Sequence, residues 1–140
     1  MAATSTTSQQ NQTAAQTILV VEDEQTVAQV LVTMLEVEGY KVLAARDGQD
    51  ALARLKKVEP DLIITDVTMP KIDGIAMCSI IQQSPTYKAC KDIPVVLMSA
   101  DGPFRSRPKC KYEAFVAKPF DLDKLLVLIE RIIGGKFTMP

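Results

Sequence analysis

The alternation of short apolar runs with segments of helical periodicity constrains the fold most strongly. The apolar runs are nearly continuous, which is typical of strands in a parallel sheet whose two faces are both covered. Between the first two runs, Val27, Leu31 and Leu35 recur at helical spacing. The predicted strands are residues 17–21, 41–45, 62–65, 93–98 and 114–117.

Strands that alternate with helices predict right-handed crossovers, and therefore a doubly wound α/β domain with a five-stranded parallel sheet and helices on both faces. The 140 residues suit one such domain. We expect it to span residues 17–134, because Gly134 and Gly135 stop the last helical segment. Residues 1–16 are uncharged and rich in Ser, Thr and Gln, so we expect a disordered tail there and a short C-terminal tail at 135–140.

The composition excludes several functions. The chain has no histidine, which rules out Ser-His-Asp and Cys-His catalysis, a His-ligated metal and a phosphohistidine carried by this chain. A net charge of −1 gives no overall attraction to nucleic acid or to anionic membranes. The N-terminus lacks the parts of a signal peptide, and no stretch reaches the roughly 20 apolar residues of a membrane span. We therefore expect a cytoplasmic protein without membrane insertion or direct contact with nucleic acid.

The three cysteines form no recognisable metal or redox motif. Cys78, Cys90 and Cys110 contain no Cys-x-x-Cys pair, and an odd number cannot pair completely within one chain. We expect reduced thiols that act as small core or surface residues.

Polar residues follow four of the five predicted strands at the point where each strand ends. Glu22 and Asp23 follow the first strand and Asp66 the third. Ser99 follows the fourth strand and Lys118 the fifth. Any one of them could be a helix cap, a turn residue or a solvated charge. Because ligands of doubly wound sheets bind beyond the carboxyl ends of the strands, their shared position favours one functional site.

Three carboxylates that converge on one cleft repel each other unless a cation lies between them. Oxygen ligands without His or clustered Cys favour a hard ion, Mg²⁺ or Mn²⁺. With Lys118 on the opposite side of the pocket, this arrangement would stabilise charge on an incoming phosphoryl group. Asp66 is then the predicted nucleophile, and its carboxylate oxygen would form an acyl phosphate.

Four segments together resemble the receiver domain of two-component response regulators. They are ILVVEDE at 18–24, LIITDVTMPKIDG at 62–74, VVLMSA at 95–100 and FVAKPF at 115–120, in the order that this family has. The resemblance covers most of the chain and implies a flavodoxin-like (βα)5 domain with strand order 2-1-3-4-5.

The resemblance also implies a role for each site residue. Asp66 would accept phosphate from a partner histidine kinase or His-phosphotransfer protein. Asp23 would ligate the metal directly, Glu22 would act through water, and Thr68 would contribute its backbone carbonyl. Lys118 would pair with the phosphoryl oxygens.

A phosphorylation switch is implied in the same way. Ser99 would move inward to bind the phosphoryl group, and Phe115 holds the position of the switch aromatic residue. The peptide bond between Lys118 and Pro119 would be cis. The response would change the face that binds a downstream protein, or a second copy in a phosphorylation-dependent dimer. Such a protein is not a turnover enzyme, although receivers hydrolyse their own acyl phosphate.

The segment DGPFRSRPKCKYEA, residues 101–114, departs from the family. A receiver has a full helix there, but Gly102, Pro103 and Pro108 disfavour one, since proline inside a helix costs about 3 kcal/mol or more. We expect the fourth helix to be truncated or replaced by a loop. Four basic residues at every second position form either a solvated loop or a docking surface for an acidic partner. They are Arg105, Arg107, Lys109 and Lys111.

Residues 84–94, SPTYKACKDIP, form a connection that is longer than the fourth strand needs. The connection could contact a partner. Because lengthening a loop costs little free energy, we expect a tolerated surface insertion instead.

Two arrangements of the same switch are open. The favoured one acts alone through protein contacts, because only five residues follow Gly135 and no effector domain is visible. The alternative is a receiver module of a larger response regulator or hybrid kinase. Haloacid-dehalogenase-type phosphatases also use a strand-end Asp, but they need a second Asp two residues on, where this chain has Thr68.

Overall fold

The computed structural model describes residues 15–100 and 109–134. Within these ranges, strands and helices alternate as the apolar pattern predicts. The strands are β1 (Thr17–Val21), β2 (Lys41–Ala45), β3 (Leu62–Asp66), β4 (Val95–Ser99) and β5 (Ala114–Ala117). The α-helices are α1 (Gln25–Val37), α2 (Gly48–Leu55), α3 (Gly74–Gln83) and α4 (Leu122–Gly134), and a 3₁₀ helix spans Pro85–Cys90.

The five strands form one parallel sheet in the order β2-β1-β3-β4-β5. This order confirms the predicted doubly wound, flavodoxin-like fold. Because all the strands run in one direction, their carboxyl ends meet at one edge of the sheet. The strand order reverses between β1 and β3, which is where such folds bind their ligands.

Alternate residues of the strands bury two separate apolar clusters, one on each face of the sheet. The first, the α2/α3 cluster, contains Leu19, Ile63 and Leu97 together with buried residues of α2, α3 and the 3₁₀ helix. The second, the α1/α4 cluster, contains Val20 and Ile64 together with buried residues of α1 and α4. All five residues of β3 are buried, so the strand that ends in the predicted nucleophile lies at the centre of the core.

The bounds of β4 differ from the predicted strand. It begins at Val95 instead of Ile93 and ends at Ser99. The Ile93 N–H donates a hydrogen bond to the Cys90 carbonyl at 3.2 Å, so this residue still belongs to the turn that leaves the 3₁₀ helix. Pro94 has no N–H to donate to a neighbouring strand, which moves the start of regular pairing to the next residue.

The expectation of a surface insertion at residues 84–94 is wrong for two of its residues, although six of the eleven are exposed. Tyr87 and Cys90 are buried members of the α2/α3 cluster. The Ser84 hydroxyl accepts a hydrogen bond from the Thr86 N–H at 3.3 Å and so caps the 3₁₀ helix. The longer connection therefore completes the core on this face of the sheet.

The predicted loss of the helix between β4 and β5 mainly concerns residues 101–108, which lie outside the described residues. The described part of this connection, residues 109–113, contains no helix, and Lys109 and Lys111 are exposed. No helix in the described ranges is long and apolar enough to cross a lipid bilayer. The predictions for residues 1–14, residues 135–140, Arg105 and Arg107 also lie outside the described residues.

Gly74 shows how closely the loop after β3 returns to the predicted nucleophile. A Cβ atom at this position would overlap the backbone carbonyl oxygen of Asp66. We predict that Gly74→Ala lowers the free energy of unfolding by about 1–3 kcal/mol, because the Asp66 backbone must shift. Gly134→Ala is the matched control, since its Cβ would meet nothing within 4 Å, and it should change stability by less than about 1 kcal/mol. Urea unfolding measures both, and equal midpoints for the two variants would contradict the prediction.

Candidate functional site

Four strand ends bring the predicted polar residues to one edge of the sheet. Glu22 and Asp23 directly follow β1, and Asp66 is the last residue of β3. Ser99 is the last residue of β4, and Lys118 directly follows β5. Because β1 and β3 are neighbours at the reversal of strand order, the acidic residues lie at the position where the fold favours a site.

The third strand is one residue longer than the predicted strand at 62–65, because Asp66 itself belongs to β3. Asp66 pairs with Met98 of β4, whose carbonyl accepts a hydrogen bond from the Val67 N–H at 2.8 Å. The buried Thr65 hydroxyl donates to the Asp66 carbonyl at 2.9 Å. The peptide unit between Asp66 and Val67 is thus held by two hydrogen bonds, which restricts the backbone that carries the Asp66 side chain.

The Lys118 ammonium joins two carboxylates from different strands. Its Nζ lies 2.8 Å from Oε1 of Glu22 and 3.2 Å from Oδ2 of Asp66. The Glu22 side chain is fully buried, and the side chains of Asp66 and Lys118 are 9% and 14% exposed. Hydrogen bonds between charged groups of this kind are about twice as strong as neutral ones. They connect the end of β5 to the ends of β1 and β3.

The backbone of Lys118 is also fixed. Its N–H donates a hydrogen bond to the Ser99 carbonyl at 2.9 Å, and the peptide bond between Lys118 and Pro119 is cis. Ser99 is buried and pairs with Ala117. Phe115 lies on β5 two residues before Ala117. It pairs with Leu97 and packs against the α2/α3 cluster. The two predicted switch residues therefore lie on neighbouring strands close to Lys118.

The environment of the site affects the pKa values of Glu22 and Lys118 in different ways. Burial raises the pKa of the Glu22 carboxyl, although hydrogen bonds from Lys118 and from the Glu24 N–H oppose the rise, and the charge of Asp66 adds to it. Burial alone would lower the pKa of the Lys118 ammonium, but its hydrogen bonds to Glu22 and Asp66 outweigh burial and raise that pKa. Lys118 is therefore charged at neutral pH, whereas the Glu22 charge depends on its partners.

The acidic residues can meet at one ion. Glu22, Asp23 and Asp66 each offer a carboxylate oxygen, and these oxygens lie within 4.8 Å of one another. Asp23 is exposed, so the cluster opens to solvent on its side. One ammonium cannot neutralise three carboxylates, and oxygen ligands that leave room for water suit Mg²⁺. The three carboxylates therefore fit a Mg²⁺ ion. Thr68 is exposed in the loop after β3, and its role as a backbone ligand stays a prediction.

Two contributors to the site do not emerge from sequence reasoning. The Glu24 N–H donates to Oε2 of Glu22 at 3.0 Å, a contact that any residue type could make. Gly74 brings its backbone against Asp66, and its N–H donates to the Val67 carbonyl at 2.8 Å. The Asp-Gly turn signal at residues 73–74 could have indicated a tight loop, but not which residue it approaches.

The fold and the site together define a doubly wound α/β domain with an acidic cluster and a lysine at its switch point. The family profile described as the response regulator receiver domain matches residues 18–130. The chain belongs to this family.

Two curated relatives illustrate the match. The chain is 34% identical to the ycf27 protein of Galdieria sulphuraria, over 83% of this chain and 44% of that protein. It is 29% identical to the protein PilG of Pseudomonas aeruginosa, over 81% of this chain and 84% of that protein. The chain spans about half the length of the first curated relatives that it matches.

Two solved structures share the fold over nearly their whole length. The receiver domain of a signal transduction histidine kinase from Syntrophus aciditrophicus is 33% identical, with a TM-score of 0.76 over 90% of this chain and 96% of that one. The receiver domain of sensor histidine kinase PA1611 from Pseudomonas aeruginosa is 28% identical, with a TM-score of 0.75 over 86% and 99%. That structure has a magnesium ion coordinated in its active site cleft.

Removal of the Lys118 charge tests the central ion pairs. Lys118→Met keeps most of the side-chain length but leaves the buried Glu22 carboxylate without its cation, so we predict a loss of about 3 kcal/mol in the free energy of unfolding. Lys124→Met, at an exposed position of α4, should change stability by less than about 0.5 kcal/mol. Both are measured by denaturant unfolding at neutral pH with a chelator present. Similar losses in the two variants would show that the ion pairs contribute little.

Proposed function

We propose that the chain is a phosphoacceptor switch in which Asp66 takes a phosphoryl group from a partner histidine kinase or His-phosphotransfer protein, in a Mg²⁺-dependent reaction. The observation that carries the proposal is the Lys118 ammonium bound to both Asp66 and Glu22 beside the acidic cluster. Membership of the receiver family supports it. Because these 140 residues contain no histidine, the phosphohistidine must lie outside them.

The reaction follows from the position of the Asp66 carboxylate. One of its oxygens attacks the phosphorus in line, the bond between phosphorus and the donor nitrogen breaks, and an acyl phosphate forms. Lys118 holds the carboxylate through Oδ2 at 3.2 Å and can then neutralise charge on the phosphoryl oxygens. Mg²⁺ held by Glu22, Asp23, Asp66 and the Thr68 carbonyl would supply further neutralisation of negative charge.

The response to phosphorylation is a shift between two conformations. The Ser99 hydroxyl moves towards the phosphoryl group, and Phe115 on the adjacent strand turns towards the core. The hydrogen bond from the Lys118 N–H to the Ser99 carbonyl supports this coupling, because it joins the ends of β4 and β5. The face formed by β5 and α4 then binds a downstream protein or a second copy of the chain.

The same chemistry serves either arrangement of the chain. A receiver that acts alone signals through its own surface, and a receiver module passes the shift to an attached effector. The match covers 84% of the length of PilG but only 44% of the length of ycf27. The relatives therefore include a protein little longer than the receiver domain and a protein with a large additional part. In either arrangement the receiver takes phosphate on its own side chain and is not itself a turnover enzyme, apart from hydrolysis of its own acyl phosphate.

Replacement of the nucleophile is the direct test. We predict that Asp66→Asn abolishes Mg²⁺-dependent labelling by acetyl phosphate, because an amide cannot form the acyl phosphate. Asp92→Asn is the control, since that side chain is 92% exposed and no part of the site, and its labelling should equal that of the wild type. Labelling is read as a phosphate-sized mass increase of the intact protein. Labelling of Asp66→Asn at the wild-type level would refute the assignment.

Asp23 allows metal binding to be tested without removal of the nucleophile. We predict that Asp23→Asn raises the Mg²⁺ dissociation constant by roughly tenfold or more, because a charged ligand is lost while the exposed position tolerates the amide. Calorimetric titration measures the constant, and acetyl phosphate labelling should need correspondingly more Mg²⁺. Asp61→Asn, at the amino end of β3, controls for the loss of one negative charge. Equal constants for the two variants would remove Asp23 from the ligand set.

A further inference from the structure

Two of the three cysteines meet in the folded protein, although 31 residues separate them in the sequence. The Cys78 thiol of α3 lies within hydrogen-bonding reach of the Cys110 thiol, and it also donates a hydrogen bond to the Lys111 carbonyl at 3.7 Å. Both belong to the α2/α3 cluster, where Cys78 is fully buried and Cys110 is 7% exposed. The phosphoryl chemistry of the site uses neither thiol.

A separate contact holds the residue after Cys110 against α3. Gln82 lies one helical turn after Cys78 on α3, and its side-chain amide makes two reciprocal hydrogen bonds with the backbone of Lys111. Its Nε2 donates to the Lys111 carbonyl at 2.7 Å, and its Oε1 accepts from the Lys111 N–H at 2.9 Å. The chain at residues 110–111 is therefore fastened to α3 even while both cysteines are reduced. A disulfide would bring the two sulfurs to about 2.05 Å of each other.

We propose that Cys78 and Cys110 are a site of reversible oxidation that forms an intramolecular disulfide, with a hydroperoxide as the oxidant. The bond fastens residues 109–113, the approach to β5, covalently to α3. The proposal is independent of phosphorylation at Asp66, because it rests on two thiols outside that site.

The chemistry proceeds in two steps. The Cys110 sulfur, the more exposed of the two, attacks a peroxide oxygen, the O–O bond breaks, and a sulfenic acid and one water form. The Cys78 sulfur then attacks the Cys110 sulfur, the S–O bond breaks, and the hydroxide leaves with the Cys78 proton as a second water. Two thiols and one hydrogen peroxide thus give one disulfide and two waters. The two sulfurs lose two electrons, which reduce the peroxide.

Burial of Cys78 makes Cys110 the thiol that reacts with the peroxide first. It raises the pKa of the Cys78 thiol, and contact with Cys110 raises it further, so Cys78 stays protonated and reacts poorly with an oxidant in solution. Burial likewise raises the pKa of the Cys90 thiol. The Cys90 thiol donates to the Leu55 carbonyl at 3.8 Å, at the end of α2, and serves as a cysteine of similar burial with a different partner.

Thiol counting and peptide mapping test the pair in the intact chain. Dilute folded protein is treated with hydrogen peroxide, quenched, unfolded and alkylated, and then digested without reduction. We expect a mass decrease of about 2 Da before alkylation, one alkylated thiol of the three, and a linked peptide pair that contains Cys78 and Cys110. Dithiothreitol should restore all three thiols.

The variant Cys90→Ser should form the same linked pair, with no alkylated thiol left. Cys110→Ser should give no intramolecular bridge, and if that variant does not fold, the maps of the wild type and of Cys90→Ser decide the question alone. Oxidation in denaturant is the control for the folded geometry, since an unfolded chain gives a mixture of pairings. A bridge that contains Cys90 in the folded protein would overturn the proposal. So would three alkylated thiols, or higher oxidation of Cys110 without a bridge.

Discussion

The bonds of the Lys118 ammonium to Glu22 and Asp66 are the interaction on which the functional edge of the sheet depends. A carboxylate as buried as that of Glu22 is costly to charge unless a cation and hydrogen bonds compensate it. Lys118 provides the cation at 2.8 Å, and by also reaching Asp66 it ties the ends of three strands together. The strands that build the apolar core thus end in a cluster of charged residues. The charges of Glu22, Asp66 and Lys118 are each compensated by a partner from another strand end.

Much of this architecture follows from the sequence, for a topological reason. In a parallel sheet every strand delivers its last residue to the same edge, so the strand ends of an alternating pattern are close in space before any contact is known. The positions of Glu22, Asp66 and Lys118 could be predicted in this way. The distances between their side chains could not be predicted, because these distances depend on how the core packs around each side chain. The Glu24 N–H that also binds Glu22 is a backbone group and leaves no trace in the sequence.

The parts that sequence reasoning missed share a different property. The burial of Tyr87 and Cys90, and the pairing of Gln82 with Lys111, join segments that no periodic pattern connects. A glutamine near the end of an amphipathic helix normally indicates a solvated face. Here its amide satisfies the backbone of a chain segment without regular structure, a task that a helix in that segment would perform with its own hydrogen bonds. The contact is therefore visible only once the two segments are placed side by side.

The two chemistries proposed for this chain converge on β5, and the packing of the sheet explains why that strand suits them. All residues of β3 and β4 are buried, whereas β5 has four residues, none of them fully buried, and lies at the edge of the sheet. Elements with few buried contacts open or shift at low cost in free energy. In these proposals the phosphoryl site would act on the end of β5 through Lys118, and the thiol pair would act on its beginning through Cys110. The buried central strand β3 therefore holds the Asp66 carboxylate, while the edge strand β5 can change its position.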